Sequence, residues 1–194
     1  MLPSSFMKRW LAVLILCAAP LAEAKPNNNL EAARVLDQFL AGTMPLNAAI
    51  NRVQFLGQEA FVSLELVFAM RRAQGKSREQ VLEFLVALAY RHGDVEQVFL
   101  RALSSEETGE VMSGAKGLGR IKSAEGVKPL LFLLQSPLLG PRREAARALG
   151  EIGKPAASAP LLKAAKKEAD LDLRLLMIAD ARATRSRSPP SRPC

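Results

Sequence analysis

The sequence predicts an all-α protein built as a stack of antiparallel helix pairs, and composition is the first reason. Of the 194 residues, 49% are apolar, but the chain has only eight Phe, one Trp and one Tyr, so its core must be aliphatic. Ala and Leu dominate the apolar set, and alternating β-branched runs are nearly missing. This composition favours helices over strands.

The second reason is an internal repeat with a fixed period. The segment 115–121 returns as 146–152, which is 31 residues later and keeps the Leu-Gly pair. Pro129-Leu130-Leu131 returns at the same offset as Pro160-Leu161-Leu162. A period of this length is typical of arrays in which each helical unit covers the apolar face of its neighbour.

The repeated unit resembles the HEAT-like repeats first grouped with the phycobilisome lyases. Those repeats have a helix A that ends near Leu-Gly, a turn, and a helix B that begins near Pro-Leu-Leu. The resemblance is clear over residues 109–181, and Leu56-Gly57 and Val98-Phe99-Leu100 keep the period in more diverged units. It implies a right-handed α-solenoid of about five antiparallel pairs.

The resemblance also implies an arginine near the start of each helix A. Arg143 and Arg174 match it, 31 residues apart. The acidic residue that often precedes this arginine is Asp172 in one unit, but Pro141 stands there in the other. A ladder of arginine–carboxylate pairs between repeats is therefore not expected at Arg143.

Residues 1–24 have the pattern of a cleavable signal peptide. Lys8 and Arg9 precede an apolar run over 10–19, and Ala22-Glu23-Ala24 supplies the cleavage site. The run is shorter than the roughly 20 apolar residues that span a bilayer. A lipoprotein signal at Cys17 is the disfavoured alternative, and Met7 is an alternative start. We expect export to the periplasm or the cell exterior.

Cleavage after residue 24 would remove Cys17 and leave Cys194 as the one cysteine of the mature chain. The mature chain then forms no internal disulfide, so packing alone must hold it together. Cys194 is either an unpaired thiol or a link to another chain.

Residues 25–183 are predicted to form ten helices in one solenoid domain, followed by a disordered basic tail over 184–194. Asn residues before Leu30 cap the first helix, and Pro45 opens the second. The third has an apolar stripe at Phe61, Leu64, Val67 and Phe68. Capping boxes at 77–80 and 94–97 open the next two. The last five are predicted at about 106–120, 124–135, 141–152, 156–168 and 171–182.

Gly119 and Gly150 of the Leu-Gly pairs need a physical explanation. Glycine inside a helix costs about 1 kcal/mol relative to alanine. Two explanations are open: a close approach of the next helix, or an early C-terminal cap.

The residue types of common catalytic sites are scarce. His92, the one histidine, is predicted at a helix C-terminus, where the helix dipole favours it. One histidine cannot supply repeated His-Glu iron ligands, and one mature cysteine cannot supply a zinc site. Gly117-Leu118-Gly119 lacks the spacing of a phosphate-binding loop. The sequence favours a non-enzymatic protein with no cofactor and no metal.

Charge is distributed unevenly along the chain. Residues 25–110 have 9 basic and 11 acidic side chains, whereas 111–194 have 16 basic and 7 acidic. A basic half attracts anionic partners, although it is also the ordinary solvated surface of an aliphatic stack. The candidate partner-binding ridge consists of Lys116, Arg120, Lys122, Arg142, Arg143 and Arg147.

The function predicted from these observations is an exported scaffold that binds a protein partner through the solenoid surface. Two alternatives stay open. One is attachment of the basic half to an anionic envelope polymer or a lipid head group, and the other is an accessory or catalytic role in a lyase-like reaction. No nucleic-acid partner is expected, and no transmembrane segment is expected in the mature chain.

Overall fold

The computed structural model describes residues 28–186, and within this range the chain is all-helical. The predictions for the signal peptide, for residues 25–27 and for residues 187–194 with Cys194 lie outside it. The helices are α1 (Asn28–Leu40), α2 (Leu46–Leu56), α3 (Glu59–Met70), α4 (Gly75–Leu88), α5 (Gly93–Ala102), α6 (Thr108–Arg120), α7 (Val127–Leu133), α8 (Leu139–Ile152), the 3-10 turn Pro155–Ala157, α9 (Ser158–Ala165) and α10 (Leu171–Ser186).

The helices form two rows. The even row runs in the order α2, α4, α6, α8 and α10, and neighbours in this row pack against each other. The odd helices pair with their successors, as α1 with α2 and α9 with α10, and α6 with α8 makes the most extensive contact of the stack. The predicted all-α stack of five helix pairs is confirmed, and its right-handed sense stays a prediction.

The repeated leucines form the centre of this stack. Leu118 and Leu149, which precede the two glycines, have no exposed surface, and neither do Leu130 and Leu161 of the Pro-Leu-Leu segments. Each fully buried leucine contributes about 1.5–3 kcal/mol through removal of apolar surface from water. None of the helices between residues 28 and 186 is long and apolar enough to cross a membrane.

The Leu-Gly glycines are explained by close helix contact. A Cβ atom added to Gly119 would lie 2.8 Å from Cα of Ala148 on α8, and one added to Gly150 would overlap the carboxyl group of Asp180 on α10. The alternative of an early cap is wrong, because α6 continues to Arg120 and the left-handed residue is Lys122, with φ of +53°. Glycine therefore lets neighbouring even helices touch.

An arginine occupies the fourth position of three even helices. In each case its side chain donates hydrogen bonds to backbone carbonyls at the end of the preceding odd helix or in the loop that follows it. Arg78 of α4 donates to the Met70 carbonyl, and Arg142 of α8 donates to the Ser136 and Pro137 carbonyls. Arg174 of α10 donates to the Glu168 carbonyl. The Met70 carbonyl ends α3, where it lacks an intrahelical partner, whereas the other accepting carbonyls lie in the loops that follow α7 and α9.

The matching of Arg143 with Arg174 was wrong. Arg142 is the counterpart of Arg174, because α8 and α10 begin 32 residues apart, at Leu139 and Leu171. Arginine–carboxylate pairs between repeats also exist, although Asp172 does not take part in them. Arg78 lies 2.9 Å from Glu110, and Arg142 lies 2.8 Å from Glu168.

Several predicted helix ends and one helix register differ from the structure. In α3 the buried residues include Val62 and Leu66, whereas Phe68 of the predicted stripe is exposed. Ser77 lies inside α4, which begins at Gly75, so it caps nothing. The predicted tail begins too early, since α10 extends to Ser186 with Thr184 buried.

His92 does not stand at a helix C-terminus. It is the N-cap of α5, and its Nδ1 accepts a hydrogen bond from the Asp94 backbone N–H at 3.2 Å. This contact replaces the capping box predicted at 94–97.

Candidate functional site

Four of the six residues of the predicted basic ridge lie on two adjacent even helices, α6 and α8. Lys116 on α6 and Arg147 on α8 are both exposed and lie 31 residues apart, at equivalent positions of adjacent even helices. Arg120 follows Lys116 by four residues, and Arg143 precedes Arg147 by four. Side chains four residues apart share a helix face. These four residues form the basic ridge from here on.

Arg142 points away from the ridge. Its Nε and Nη2 donate to the two carboxylate oxygens of Glu168, at 2.8 and 3.0 Å, and its side chain is 20% exposed. The hydrogen bond to Arg142 holds the pKa of Glu168 below its ordinary value, and the same bond raises the pKa of Arg142. Arg142 is therefore a structural link between repeats.

The ridge residues also have partners within the chain. Arg143 lies 3.8 Å from Asp170, Arg147 lies 3.6 Å from Glu144, and Arg120 donates to the Val86 carbonyl at 3.2 Å. Exposed ion pairs contribute only about 0–1 kcal/mol, so an incoming anion can replace these contacts at little cost. The ridge can take part in binding, but it is not a row of unpaired cations.

Lys122 lies at another place, in the turn between α6 and α7. It borders a groove of about 430 Å³ whose lining includes two more cations, Arg91 and Lys154. The three cations are 31 and 32 residues apart, so consecutive repeats supply them at the same turn. Glu96 and Glu125 line the same groove and reduce its positive charge. We call this the turn groove.

The least expected surface is at the end of the stack. α9 and α10 are the last helices in the range 28–186, and no further described helix covers the far side of this pair. A groove of about 490 Å³ runs between them, and we call it the end groove. Its lining is apolar in the middle, with cations around it: Ser158, Leu162, Ala165, Lys166, Arg174, Ile178, Ala181, Arg182 and Arg185.

Two leucines extend this apolar surface along α10. Leu171 is 62% exposed and Leu175 is 57% exposed. Together with Ile178 and Arg182 they follow the spacing i, i+4, i+7, i+11, so they share one side of the helix. Leu173 and Met177, on the opposite side, are fully buried.

Sequence reasoning missed this surface although a signal was present. α10 has two apolar stripes, one through Leu173 and Met177 and another through Leu171, Leu175 and Ile178. A helix that only covers the end of a core needs one apolar stripe. The second stripe indicates a surface available to another molecule.

The groups that could support chemistry remain dispersed. Within residues 28–186, no three side chains of His, Cys, Asp or Glu come together as a metal-binding group. His92 uses its Nδ1 atom as a helix cap.

The family model of HEAT repeats matches residues 97–179. This range runs from α5 into α10 and includes both Leu-Gly pairs, the four ridge residues and six of the nine residues that line the end groove. A comparison with curated protein sequences finds no match. HEAT repeats form helical scaffolds that often mediate protein interactions. Residues 97–179 of this all-helical chain are therefore similar to HEAT repeats, as the Leu-Gly and Pro-Leu-Leu spacing predicted.

Proposed function

We propose that this chain is an exported, non-enzymatic scaffold that binds a protein partner through its solenoid surface. The observation that carries the proposal is the exposure of Leu171 and Leu175 beside the end groove. Contiguous apolar surface on a soluble protein commonly marks an interaction site. Inside the stack, α8 packs against the next even helix, whereas no described helix follows α10.

The basic ridge has a supporting role in this proposal. Its residues lie on α6 and α8, and α8 packs against α10, one of the two helices that form the end groove. Exposed charges of one sign raise the rate of encounter with an anionic partner more than they raise affinity. We expect the apolar end surface to hold the partner and the ridge to speed its arrival.

Export is the second part of the proposal and depends on the signal pattern of residues 1–24. N-terminal sequencing of the secreted protein should read Lys25-Pro26-Asn27. A mature chain that starts at Cys17 would establish a lipoprotein instead.

A pull-down from envelope extract tests the binding function. The bait is the chain from Lys25 onward, compared with a variant carrying Leu171→Glu and Leu175→Glu. Both leucines are exposed, so the fold should tolerate the change. A captured protein should be lost with this variant and should persist in high salt, because apolar contacts are not screened.

A second variant, with Arg143→Gln and Arg147→Gln, serves as the comparison. It should capture the same protein more slowly and reach nearly the same amount. Equal capture by wild type and by the double-leucine variant would contradict binding at the end of the stack. In that case, loss of capture by the arginine variant would assign the ridge.

The turn groove favours one alternative function, attachment to an anionic polymer. Arg91, Lys122 and Lys154 recur from repeat to repeat along one edge, as an extended polyanion would require. Binding of this kind should weaken steeply with salt. Lys122→Gln with Lys154→Gln should abolish retention on an anionic envelope polysaccharide while leaving capture of the protein partner unchanged.

A further inference from the structure

We propose that the end groove binds an acidic amphipathic helix supplied by the partner. This inference deepens the proposed function and rests on it for the existence of a protein partner. It adds the chemistry and the secondary structure of the segment that enters the groove.

The shape of the groove fits a helix. On the α9 side the lining residues are Ser158, Leu162, Ala165 and the C-cap Lys166, which have the spacing i, i+4, i+7, i+8 of a single helix side. Those of α10 are Arg174, Ile178, Ala181, Arg182 and Arg185, and they repeat that spacing for one more turn. The α10 stripe is roughly 16 Å long, which is three turns at 1.5 Å per residue. The groove therefore runs along α9 for about two turns and along α10 for about three.

The floor is apolar and already held in place. Ala165 and Ala181 are small, so the backbone of a third helix can approach closely between Leu162 and Ile178. The Ser158 hydroxyl donates to the Ala181 carbonyl at 2.8 Å and joins the two walls of the groove. A groove that is fixed before binding loses less conformational entropy when a partner enters.

The charge around the groove is positive. Four lining residues are cations and none is a carboxylate. Arg174 donates to the Glu168 carbonyl, whereas Lys166, Arg182 and Arg185 are exposed and have no carboxylate partner within residues 28–186. A helix with leucines on one side and glutamates beside them would match both the floor and the cations.

Two occupants from this chain itself fit less well. At the opposite end of the stack, the groove beside α1 and α2 is lined by Arg34 and Arg52 with the single carboxylate of Glu31, so a second copy stacked end to end would bring cations against cations. Residues 187–194, which follow α10 in sequence, contain Arg187 and Arg192 and no Asp or Glu. Like charges disfavour both arrangements.

The test uses two synthetic 14-residue helical peptides with one shared leucine stripe. One carries glutamates beside the stripe and the other carries lysines at the same positions. Fluorescence anisotropy with the chain from Lys25 onward, at about 150 mM salt, should give a dissociation constant roughly ten-fold lower for the glutamate peptide, since several charge pairs form together. Equal affinity for the two peptides would overturn the proposal.

Charge reversal on the groove provides the matched variant. Lys166→Glu with Arg182→Glu should reverse the preference, so that the lysine peptide binds more tightly. The control, Lys163→Glu with Lys167→Glu, makes the same change in net charge on exposed residues outside the groove lining. It should keep the preference of the wild type, and a reversal by the control would show that only overall charge matters.

Two further outcomes would replace the proposed occupant. Binding to anionic phospholipid vesicles that is lost with the Lys166→Glu, Arg182→Glu variant, without discrimination between the peptides, would identify a lipid site. Dimer formation in sedimentation velocity that the same variant abolishes would identify a second copy of the chain. Either result overturns the helix inference.

The outcomes separate this inference from the proposed function. If Leu171→Glu with Leu175→Glu abolishes partner capture but the groove does not distinguish the peptides, the scaffold function stands and the helix inference falls. If the peptides are distinguished and capture persists with that variant, the groove binds acidic helices and the captured partner uses another surface.

Discussion

Asp180 is expected to weaken the stack at neutral pH, and Asp180→Asn should remove that weakness. The Asp180 carboxyl group lies against Gly150 between α10 and α8, and its Oδ2 is buried without a hydrogen-bond donor among residues 28–186. Burial raises the pKa of Asp180 from 3.8 to about 6, Arg147 opposes the shift, and Glu151 adds to it. The neutral acid is thus the form that fits this contact.

The sign and size of the effect follow from the pKa. Between pH 3.8 and about 6 the folded chain holds a proton that the unfolded chain releases, so stability falls as pH rises through this window. A shift of two pKa units corresponds to roughly 3 kcal/mol. Because water still reaches part of the side chain, we reduce this to about 1–2 kcal/mol.

Urea unfolding followed by circular dichroism, at pH 4 and pH 8, measures this effect. Asp180→Asn should raise the midpoint at pH 8 and leave it nearly unchanged at pH 4. Asp172→Asn, on an exposed residue of the same helix, should show no such pH-dependent gain. An equal gain from Asp180→Asn at both pH values would refute the reasoning, because a neutral acid and an amide would then differ for another reason.

Three further substitutions test the packing of the repeats. Leu149→Asp should unfold much of the C-terminal half in thermal melts, because an unpaired carboxylate at a fully buried position costs several kcal/mol. Gly119→Ala should destabilise by about 1–3 kcal/mol in urea, because the new methyl group meets the α8 backbone, whereas Gly93→Ala meets nothing within 4 Å and should be neutral or better. Glu168→Gln should lower the unfolding free energy by about 1–3 kcal/mol near pH 7 and by less as pH falls, because it leaves Arg142 without its carboxylate and the pKa of Glu168 is lowered in the folded chain.

The repeated core was predictable from sequence because periodicity alone determines it. Leu118 and Leu149 recur at a fixed offset, so each position confirms the other, and both are fully buried. The register of α3 had no such support. Its apolar residues occur on several sides, and a shift of one residue separates the predicted Phe61 from the buried Val62.

The arginine link and the end groove were missed for different reasons. A one-residue change in repeat length makes Arg142, and not Arg143, the counterpart of Arg174 and the partner of Glu168, and the sequence shows this only once both helix starts are known. The end groove depends on which helix lacks a neighbour. Leu171 and Leu175 have the composition of a core, and only the three-dimensional stack shows that no described helix covers them.

The glycine contacts of the even row determine how the array can bend. At Gly119 and Gly150 the even helices already touch, through backbone or through a buried carboxyl group, so their spacing cannot decrease. α7 and α9 of the odd row have no comparable glycine contact in the described range. The distances between even helices are therefore fixed at these contacts. Any bending of the solenoid must increase or decrease the distances between the odd helices. A partner that binds across α7 and α9 would thereby select one curvature of the array.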